Sequence, residues 1–394
     1  MERLEQAQTI IVGAGIVGAC VAEALAGRGE LLVIEQGAAP GEEATAQNAG
    51  MCRRLVVDPH ERALACRSAA LLERWEAEGA FPDGAPLRRV GAVIGAVAPG
   101  ARADGLQAAA EDLARRGVAV EALAPDRVGE RAPALAGAPL HRAWWLPDEG
   151  LLDPHAITRA ALARARSRGA RLAVARRGLS LVVQEGRVIG VKTERGWIEA
   201  ERVILASGAW SAWLAASAGL ARPLVPLARH LLLSAPHPLA DPHHPYAWLD
   251  DAGLYVRPEA GAWLLSPCDE TAVAPPEGPG SRGGVDPGAR ACAMDKVERL
   301  LPALRDLRLR SGWTGLRTFA PDRRPVLGED PERPGLVWAT GLGGAGVTCG
   351  LAVGEAVAAL LAGEGAQGLE AFSPARLWGE DLLPAGARDV LPLA

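Results

Sequence analysis

The chain has 394 residues, 49% of them apolar, and a formal net charge of −5. That length can bury a large core and points to two domains, while interspersed acids and bases give no signal for nucleic acid. The six cysteines, Cys20, Cys52, Cys66, Cys268, Cys292 and Cys349, form no CxxC pair, which fits a reducing compartment and speaks against a metal site.

Taken in chain order, residues 9–12 (Thr-Ile-Ile-Val) read as a buried strand, followed by Gly13-Ala14-Gly15-Ile16-Val17-Gly18 and a helix through Val21, Leu25 and Ala26. A Gly-x-Gly-x-x-Gly placed between strand and helix is the dinucleotide fingerprint. Gly13 makes the tight turn, Gly15 lets the backbone approach a pyrophosphate, and Gly18 lets the helix lie against the strand. The helix N-terminus offers free N–H groups to phosphates. A second strand, 31–34, ends in Glu35 and Gln36; a carboxylate there accepts from ribose hydroxyls and repels a 2′-phosphate. This much defines a nucleotide site and leaves FAD and NAD both open. The first strand starts almost at the N-terminus, so no signal peptide is expected. The expected location is cytoplasmic, with peripheral attachment to the inner membrane as the variant.

The small-residue loop 37–50 ends in Thr45-Ala46-Gln47-Asn48-Ala49-Gly50, and a loop of that length beside a nucleotide fold is more often functional than filler. Asp58-Pro59 starts a helix to about residue 78, and Asp153-Pro154 another to about 169. A strand at 91–95 and a helix at 106–116 belong to an insertion. Strands are predicted near 172–174, 179–183, 188–193 and 202–206. An antiparallel set follows at 229–235, 246–250, 254–257 and 262–266, with Tyr255 in alternation. Residues 203–221 carry no charge and could span a bilayer by length, but Gly208, three serines and two tryptophans make strand, turn and short helix the better reading; no transmembrane helix is expected. Residues 267–290 read as a Pro- and Gly-rich surface excursion. His237, His243 and His244 read as a solvated loop, not a metal site.

The C-terminal part repeats the strand, glycine turn and helix pattern. Strand 336–339 runs into Gly341-Leu342-Gly343-Gly344-Ala345-Gly346, then an apolar helix through Val347 and Leu351. A helix N-terminus here suits a second electron-rich group, which a flavin provides.

On these motifs the chain resembles the FAD-dependent D-amino-acid oxidase superfamily, which includes glycine oxidase, sarcosine oxidase and D-amino-acid dehydrogenases. The resemblance rests on the Gly13–Gly18 fingerprint with Glu35, the 45–50 loop, Gly150-Leu151-Leu152-Asp153-Pro154 and Ala206-Ser207-Gly208-Ala209-Trp210-Ser211. It rests further on Trp313-Thr314-Gly315-Leu316-Arg317-Thr318-Phe319-Ala320-Pro321-Asp322 and the 341–346 cluster. Within the superfamily the likeness is greatest to the D-arginine dehydrogenase type, through Leu254–Gly261, Gly315–Phe319 and Phe372–Leu377.

The resemblance implies an α/β fold of mixed type: a Rossmann-like FAD-binding domain with an inserted substrate domain on a mostly antiparallel sheet. The FAD-binding domain is expected to use 1–80, 148–222 and 318–394, and the substrate domain 81–147 and 223–317. It implies non-covalent FAD, since the position that carries a flavin-linked cysteine in sarcosine oxidases is here about Gly315. The residues implied at FAD are Gly13, Gly15, Gly18, Glu35, Gln36, Thr45, Asn48, Ala49, Gly50, Val174, Gly208, Trp210, Gly341, Gly343, Gly344, Gly346, Val347 and Thr348. Those implied at the substrate are Arg317 and Tyr255 for its carboxylate, Arg229, Met51, and the carbonyls of Gly343 and Gly344 for its amine. The implied reaction is oxidative deamination of an amino or imino acid: hydride passes from Cα to flavin N5, and the imino acid hydrolyses to a 2-oxo acid. Oxygen, a quinone or a partner flavoprotein or dye would take the electrons. An FAD-dependent hydroxy-acid or amine dehydrogenase, or a non-catalytic electron-transfer subunit, is the alternative.

Departures from the D-arginine type stand at Met51, where a histidine is expected, and at Val56, where a lid tyrosine is expected. Both favour an apolar or cyclic substrate over arginine. Arg53 and Arg54 read either as a substitute anion binder or as a solvated turn, and His230 as a further pocket candidate.

Overall fold

The computed structural model describes residues 3–280, 283–364, 368–377 and 390–391. Of the sequence-assigned stretches, 281–282 in the Pro- and Gly-rich run and 365–367, 378–389 and 392–394 in the C-terminal part lie outside them.

The strand Arg3–Val12 is the centre of the first sheet. It pairs in parallel with Leu31–Ile34 on one side and with Gly196–Leu205 on the other. Leu336–Thr340 adds in parallel beyond Gly196–Leu205, and Arg171–Ala173 beyond Leu31–Ile34. The sequence predicted only 9–12. The strand extends back to Arg3 because Gly196–Leu205 is long enough to pair along its polar half, where half the side chains face water.

Successive residues point to opposite faces. Ile11, Val33, Ile204 and Val337 pack beneath the helices Ile16–Leu25, Pro154–Ser167 and Gly346–Leu361. Ile10, Leu32, Val203 and Trp338 pack on the other side, against the meander Ser180–Gln184 and Arg187–Thr193 and the short helix Ser211–Ala216. Both faces are covered, which is why these strands are continuous apolar runs. The uncharged run 203–221 thus becomes strand end, a turn at Gly208–Trp210 and a six-residue helix. Among the described residues no helix is long and apolar enough to cross a membrane.

The second sheet carries, in order, Thr271–Ala272, Val225–Ser234, Ala262–Ser266, Leu254–Glu259, Tyr246–Leu249, Ala92–Ala96, Arg142–Leu146 and Glu121–Leu123. Leu309–Phe319 also pairs with Val225–Ser234. Every pairing is antiparallel except Tyr246–Leu249 with Ala92–Ala96. The fold is therefore the mixed α/β arrangement expected, with a nucleotide-type sheet whose five central strands run parallel and whose added strands run antiparallel, and a second, mostly antiparallel sheet. Leu309–Phe319 connects them: its last residue, Phe319, bridges to Leu342 in the glycine turn ahead of the C-terminal helix.

Helix starts follow the predicted caps. The Asp58 carboxylate accepts from the N–H groups of His60 and Glu61 and starts Pro59–Ala77. Asp153 accepts from the Ala156 N–H and starts Pro154–Ser167. Asx caps of this kind satisfy donors that have no partner in the first turn.

Candidate active site and its two cavities

The parallel strands end at Val12, Ile34, Leu205 and Thr340, and a cavity of about 370 Å³ opens there. This is the crevice where an open α/β sheet binds its ligand. Gly13 turns the chain with φ +105°, and a Cβ on it would lie 2.6 Å from the Ala206 carbonyl oxygen. A Cβ on Gly18 would lie 1.9 Å from the Gly13 carbonyl oxygen, so only glycine permits this approach of helix to strand. Gly18 does not itself line the cavity; Gly13, Gly15 and Ile16 do.

Glu35 sits at the end of the second strand with one carboxylate oxygen 2.7 Å from the Ala14 N–H and the other 2.8 Å from the Gly37 N–H. Burial raises its pKa, and the two backbone donors oppose that shift. Each oxygen keeps a lone pair for a further donor. Gln36, Glu42, Glu43 and Thr45 continue the wall. The Thr45 hydroxyl accepts from the Ile16 N–H at 2.9 Å and ties the loop to the helix N-terminus. The Asn48 side chain donates to the Thr45 carbonyl and accepts from the Gly50 N–H at 2.6 Å, which closes the loop.

Gly208 and Trp210 line the opposite side, as do Gly341, Gly343, Gly344, Gly346 and Val347. The second glycine cluster is shaped by Phe319, whose ring occupies the place of a Gly343 Cβ at 2.1 Å. The helix Gly346–Leu361 has no acidic residue in its first turn, so its positive end is uncompensated towards the cavity. The Pro- and Gly-rich run crosses this mouth: Trp210 Nε1 donates to the Pro276 carbonyl at 2.8 Å, and the Gly280 N–H donates to Glu43 at 2.7 Å. A helix N-terminus near glycines, a buried acid at the second strand and another helix N-terminus fit a dinucleotide that carries an electron-rich ring.

Val174 does not belong to this lining. It is 40% exposed, because the chain turns outward after Ala173 and Ala175 takes φ +48°. Arg176, Arg177, Gly178 and Leu179 take that wall instead. Ala49, Gly50 and Thr348 also lie outside the large cavity and line a smaller one.

The smaller cavity shares Asn48, Arg317, Gly344 and Val347 with the large one. Arg317 is 7% exposed. Its Nη2 donates to the Gln47 carbonyl at 2.6 Å and its Nη1 to the Leu316 carbonyl at 3.2 Å. Among the described residues no carboxylate stands within ion-pair distance of it, unlike half-buried Arg54 and buried Arg222, which meet Glu149 and Asp330. Burial pushes the guanidinium down to about 10, so it remains a cation at neutral pH. Gly315 admits the loop here: a Cβ would meet Gln47 atoms at 2.9 to 3.0 Å, so this position faces the loop and not the large cavity.

Tyr255 is buried on the same cavity, its ring 4.7 Å from that of Trp248, and burial raises its phenol. Arg229 also reaches the lining, but its Nη2 is paired with Glu270 at 3.0 Å and its buried Nε has no partner. Met51 lines the cavity through its side of the loop, and its carbonyl accepts from Thr348 Oγ1 at 3.2 Å.

Several expectations are corrected. His230 stays out of the cavity: its Nδ1 is 2.5 Å from Asp269 and its Nε2 accepts from the Asp286 N–H at 3.1 Å, so both nitrogens are used. Val56 is buried elsewhere and gives its carbonyl to Arg62 at 2.8 Å. Arg53 and Arg54 part company. Arg54 is held by Glu149 at 2.8 Å, whereas Arg53 lines the cavity, paired with Asp250 at 3.1 Å and lying 4.0 Å over the Trp248 ring. The 267–290 run is not wholly a surface excursion, because Thr271–Ala272 joins the sheet edge and Asp269 and Glu270 sit beside His230 and Arg229.

Glu61 and Trp248 were missed. Glu61 occupies the first turn of Pro59–Ala77, where an acid reads as ordinary helix capping, and nothing local shows that this turn borders a cavity. Among the described residues no three His, Cys, Asp or Glu side chains gather as a metal site. His237 instead meets Asp306 at 3.3 Å.

Residues 8–360 match the family described as FAD dependent oxidoreductase, DAO, and the chain belongs to that family. FAD is its cofactor. The chain is 29% identical over 346 residues to glycine oxidase of Geobacillus kaustophilus, covering 84% of this chain and 86% of that protein. It is 29% identical over 359 residues to 4-methylaminobutanoate oxidase (formaldehyde-forming) of Paenarthrobacter nicotinovorans, covering 89% of this chain but only 43% of that longer protein. Among solved structures, L-proline dehydrogenase from P. horikoshii superposes with a TM-score of 0.81 at 23% identity, covering 94% of this chain and 98% of that one. Glycine oxidase from Geobacillus kaustophilus gives 0.77 at 26%, covering 95% and 100%.

Proposed function

We propose that this chain oxidises an amino or imino acid, a D-amino acid or a secondary amino acid, held by its carboxylate at Arg317. The supporting observation is Arg317 itself: a buried guanidinium with no carboxylate partner among the described residues, on the wall that the two cavities share. A buried cation left unpaired is costly unless a ligand supplies the anion. The relative named glycine oxidase acts on a molecule that would supply one.

On this reading the segments 1–80, 148–222 and 318–394 carry FAD, and 81–147 with 223–317 carry the substrate. Gly13, Gly15 and Ile16 would meet the pyrophosphate, Glu35 a ribose, and the Gly346–Leu361 helix end the electron-rich edge of the flavin ring. When bound, FAD accepts the two electrons that leave the substrate as its C–N bond becomes C=N. The chain's own part is positional. The Arg317 fork takes both carboxylate oxygens and Tyr255 adds a hydroxyl donor. The carbonyls at Gly343 and Gly344 accept from the amine. Together they fix the Cα–H towards the large cavity, a gain of proximity and orientation. The imino product then meets water and gives the 2-oxo acid.

The test is an anaerobic spectral titration of the purified protein with D- and L-amino acids, sarcosine and hydroxyproline. Loss of the flavin absorption with one of them supports the reading and fixes chirality. Reoxidation in air would separate an oxidase from a dehydrogenase that passes electrons to a quinone or a partner protein. A flavin that only 2-hydroxy acids or carboxylate-free amines bleach would overturn the proposal.

A further inference from the structure

Two sets of polar and aromatic side chains line the small cavity, and they meet where Tyr255 stacks on Trp248. One set gathers Arg317, Tyr255 and Arg229, which feel one another and Asp269. The other gathers Arg53, Glu61 and Trp248. The charges that act most on Glu61 are those of Arg53, Asp58, Arg102 and Asp250. Asn48, Arg317, Gly344 and Val347 border both cavities, whereas Glu61 lines the small cavity and not the large one.

Its surroundings make Glu61 unusual. Arg53 is already committed: it pairs with Asp250, which also meets Arg102, and it covers the Trp248 face. The Glu61 carboxylate accepts no hydrogen bond and forms no ion pair among the described residues. Yet its backbone is fixed twice, by the Asp58 cap at its N–H and by the Cys349 thiol at its carbonyl, 3.9 Å away. Burial raises its pKa. The fold therefore holds a half-buried carboxylate against the cavity and leaves it open to a donor that a ligand brings. Met51 alone suggested an apolar side chain; Glu61 changes that expectation.

We propose that Glu61 selects the substrate's side chain, and that the preferred substrate ends in a hydrogen-bond donor, an ammonium or a hydroxyl. The proposal rests on the reading of Arg317 as the carboxylate anchor, which sets the direction in which the side chain runs. Arg317 then takes one end of the molecule and Glu61 the other, with the reacting carbon between them. Glu61 is a specificity residue, not part of the redox step.

Three isosteric amino acids test this, 2,4-diaminobutanoate, homoserine and norvaline, which differ only in the terminal group, with glutamate placing an anion there. A longer isosteric pair, ornithine and norleucine, covers a deeper reach. Anaerobic flavin reduction gives a rate and an apparent Kd for each, in the chirality that reacts. The wild type is expected to favour the donor-ended members over norvaline by about 10- to 100-fold, the range of one hydrogen bond to a charged group. Glu61→Leu should invert that order, and Glu61→Gln should keep homoserine while losing the preference for an ammonium, with FAD content unchanged in both. A wild type that favours norvaline, norleucine or glutamate would overturn the proposal, as would a Glu61→Leu variant that loses all members equally. If the acids react but the order ignores residue 61, the inference alone fails. If no amino acid bleaches the flavin at all, the underlying reading fails and takes this one with it.

Discussion

The two cavities are made differently. The large one is built mainly from backbone: glycine turns and two helix N-termini, with the acids Glu35, Glu42 and Glu43 beside them, nearly all within contiguous motifs. The small one is built from side chains on separate segments: Met51 and Arg53, Glu61, Arg229, Trp248, Tyr255 and Arg317. Backbone sites tolerate little change, because a single Cβ fills them. Side-chain sites can be altered one group at a time while the fold stands.

The comparison can be broken most severely at Gly18. Its Cβ would lie 1.9 Å from the Gly13 carbonyl oxygen, and neither backbone segment can yield. Gly18→Ala should cost at least about 3 kcal/mol and yield protein with little bound flavin, read by absorbance and by thermal unfolding. Gly350→Ala is the control. Its Cβ would meet the Ile16 side chain at 3.4 Å and the Cys20 sulfur at 3.6 Å, both ordinary contacts, and it removes a glycine from a helix interior, so stability should stay level or rise by about 0.5–1 kcal/mol.

Changes in the small cavity should leave the flavin in place. Arg317→Ala is expected to lower kcat/KM by about 100- to 1000-fold, as removal of a buried charge partner does. Arg229→Ala should cost less, about 10-fold, because Glu270 already occupies one of its nitrogens. Equal losses in the two variants would contradict the view that only Arg317 awaits an anion.

The smallest effect lies away from both cavities. Asp112 is held down to about 2 by Arg62 and then Arg116. A folded pKa below the unfolded value means stability that is present above about pH 4 and lost as the pH falls through about 2. Asp112→Asn should lower stability by about 0.5–1 kcal/mol at neutral pH, and the deficit should vanish below about pH 2. Flavin content and activity should not respond.

The same contrast explains what the sequence could reveal. Gly13, Gly15, Gly18 and Glu35 follow one another within a single strand–helix–strand unit, so spacing alone carries the geometry. Arg317 and Tyr255 were legible only through the wider motif, since each is one residue of an ordinary strand. Glu61 gave no signal, because an acid in a first helical turn has a local explanation that needs no cavity. Val174 and His230 went astray for the opposite reason. Each lies one or two residues from a wall, but a left-handed turn at Ala175 and an Asp269 partner send them elsewhere. Register and tertiary partners decide such cases.

The central claim is that Arg317 awaits a substrate carboxylate at the border of the flavin cavity. The direct measurement compares a reactive amino acid with its carboxamide, in wild type and in Arg317→Ala, by the rate of anaerobic flavin reduction. Wild type should prefer the acid by about 100-fold or more, and the variant should react with both at nearly the same low rate. An undiminished preference for the acid in Arg317→Ala would mean that another group holds the carboxylate, and the account of the site would have to be rebuilt around it.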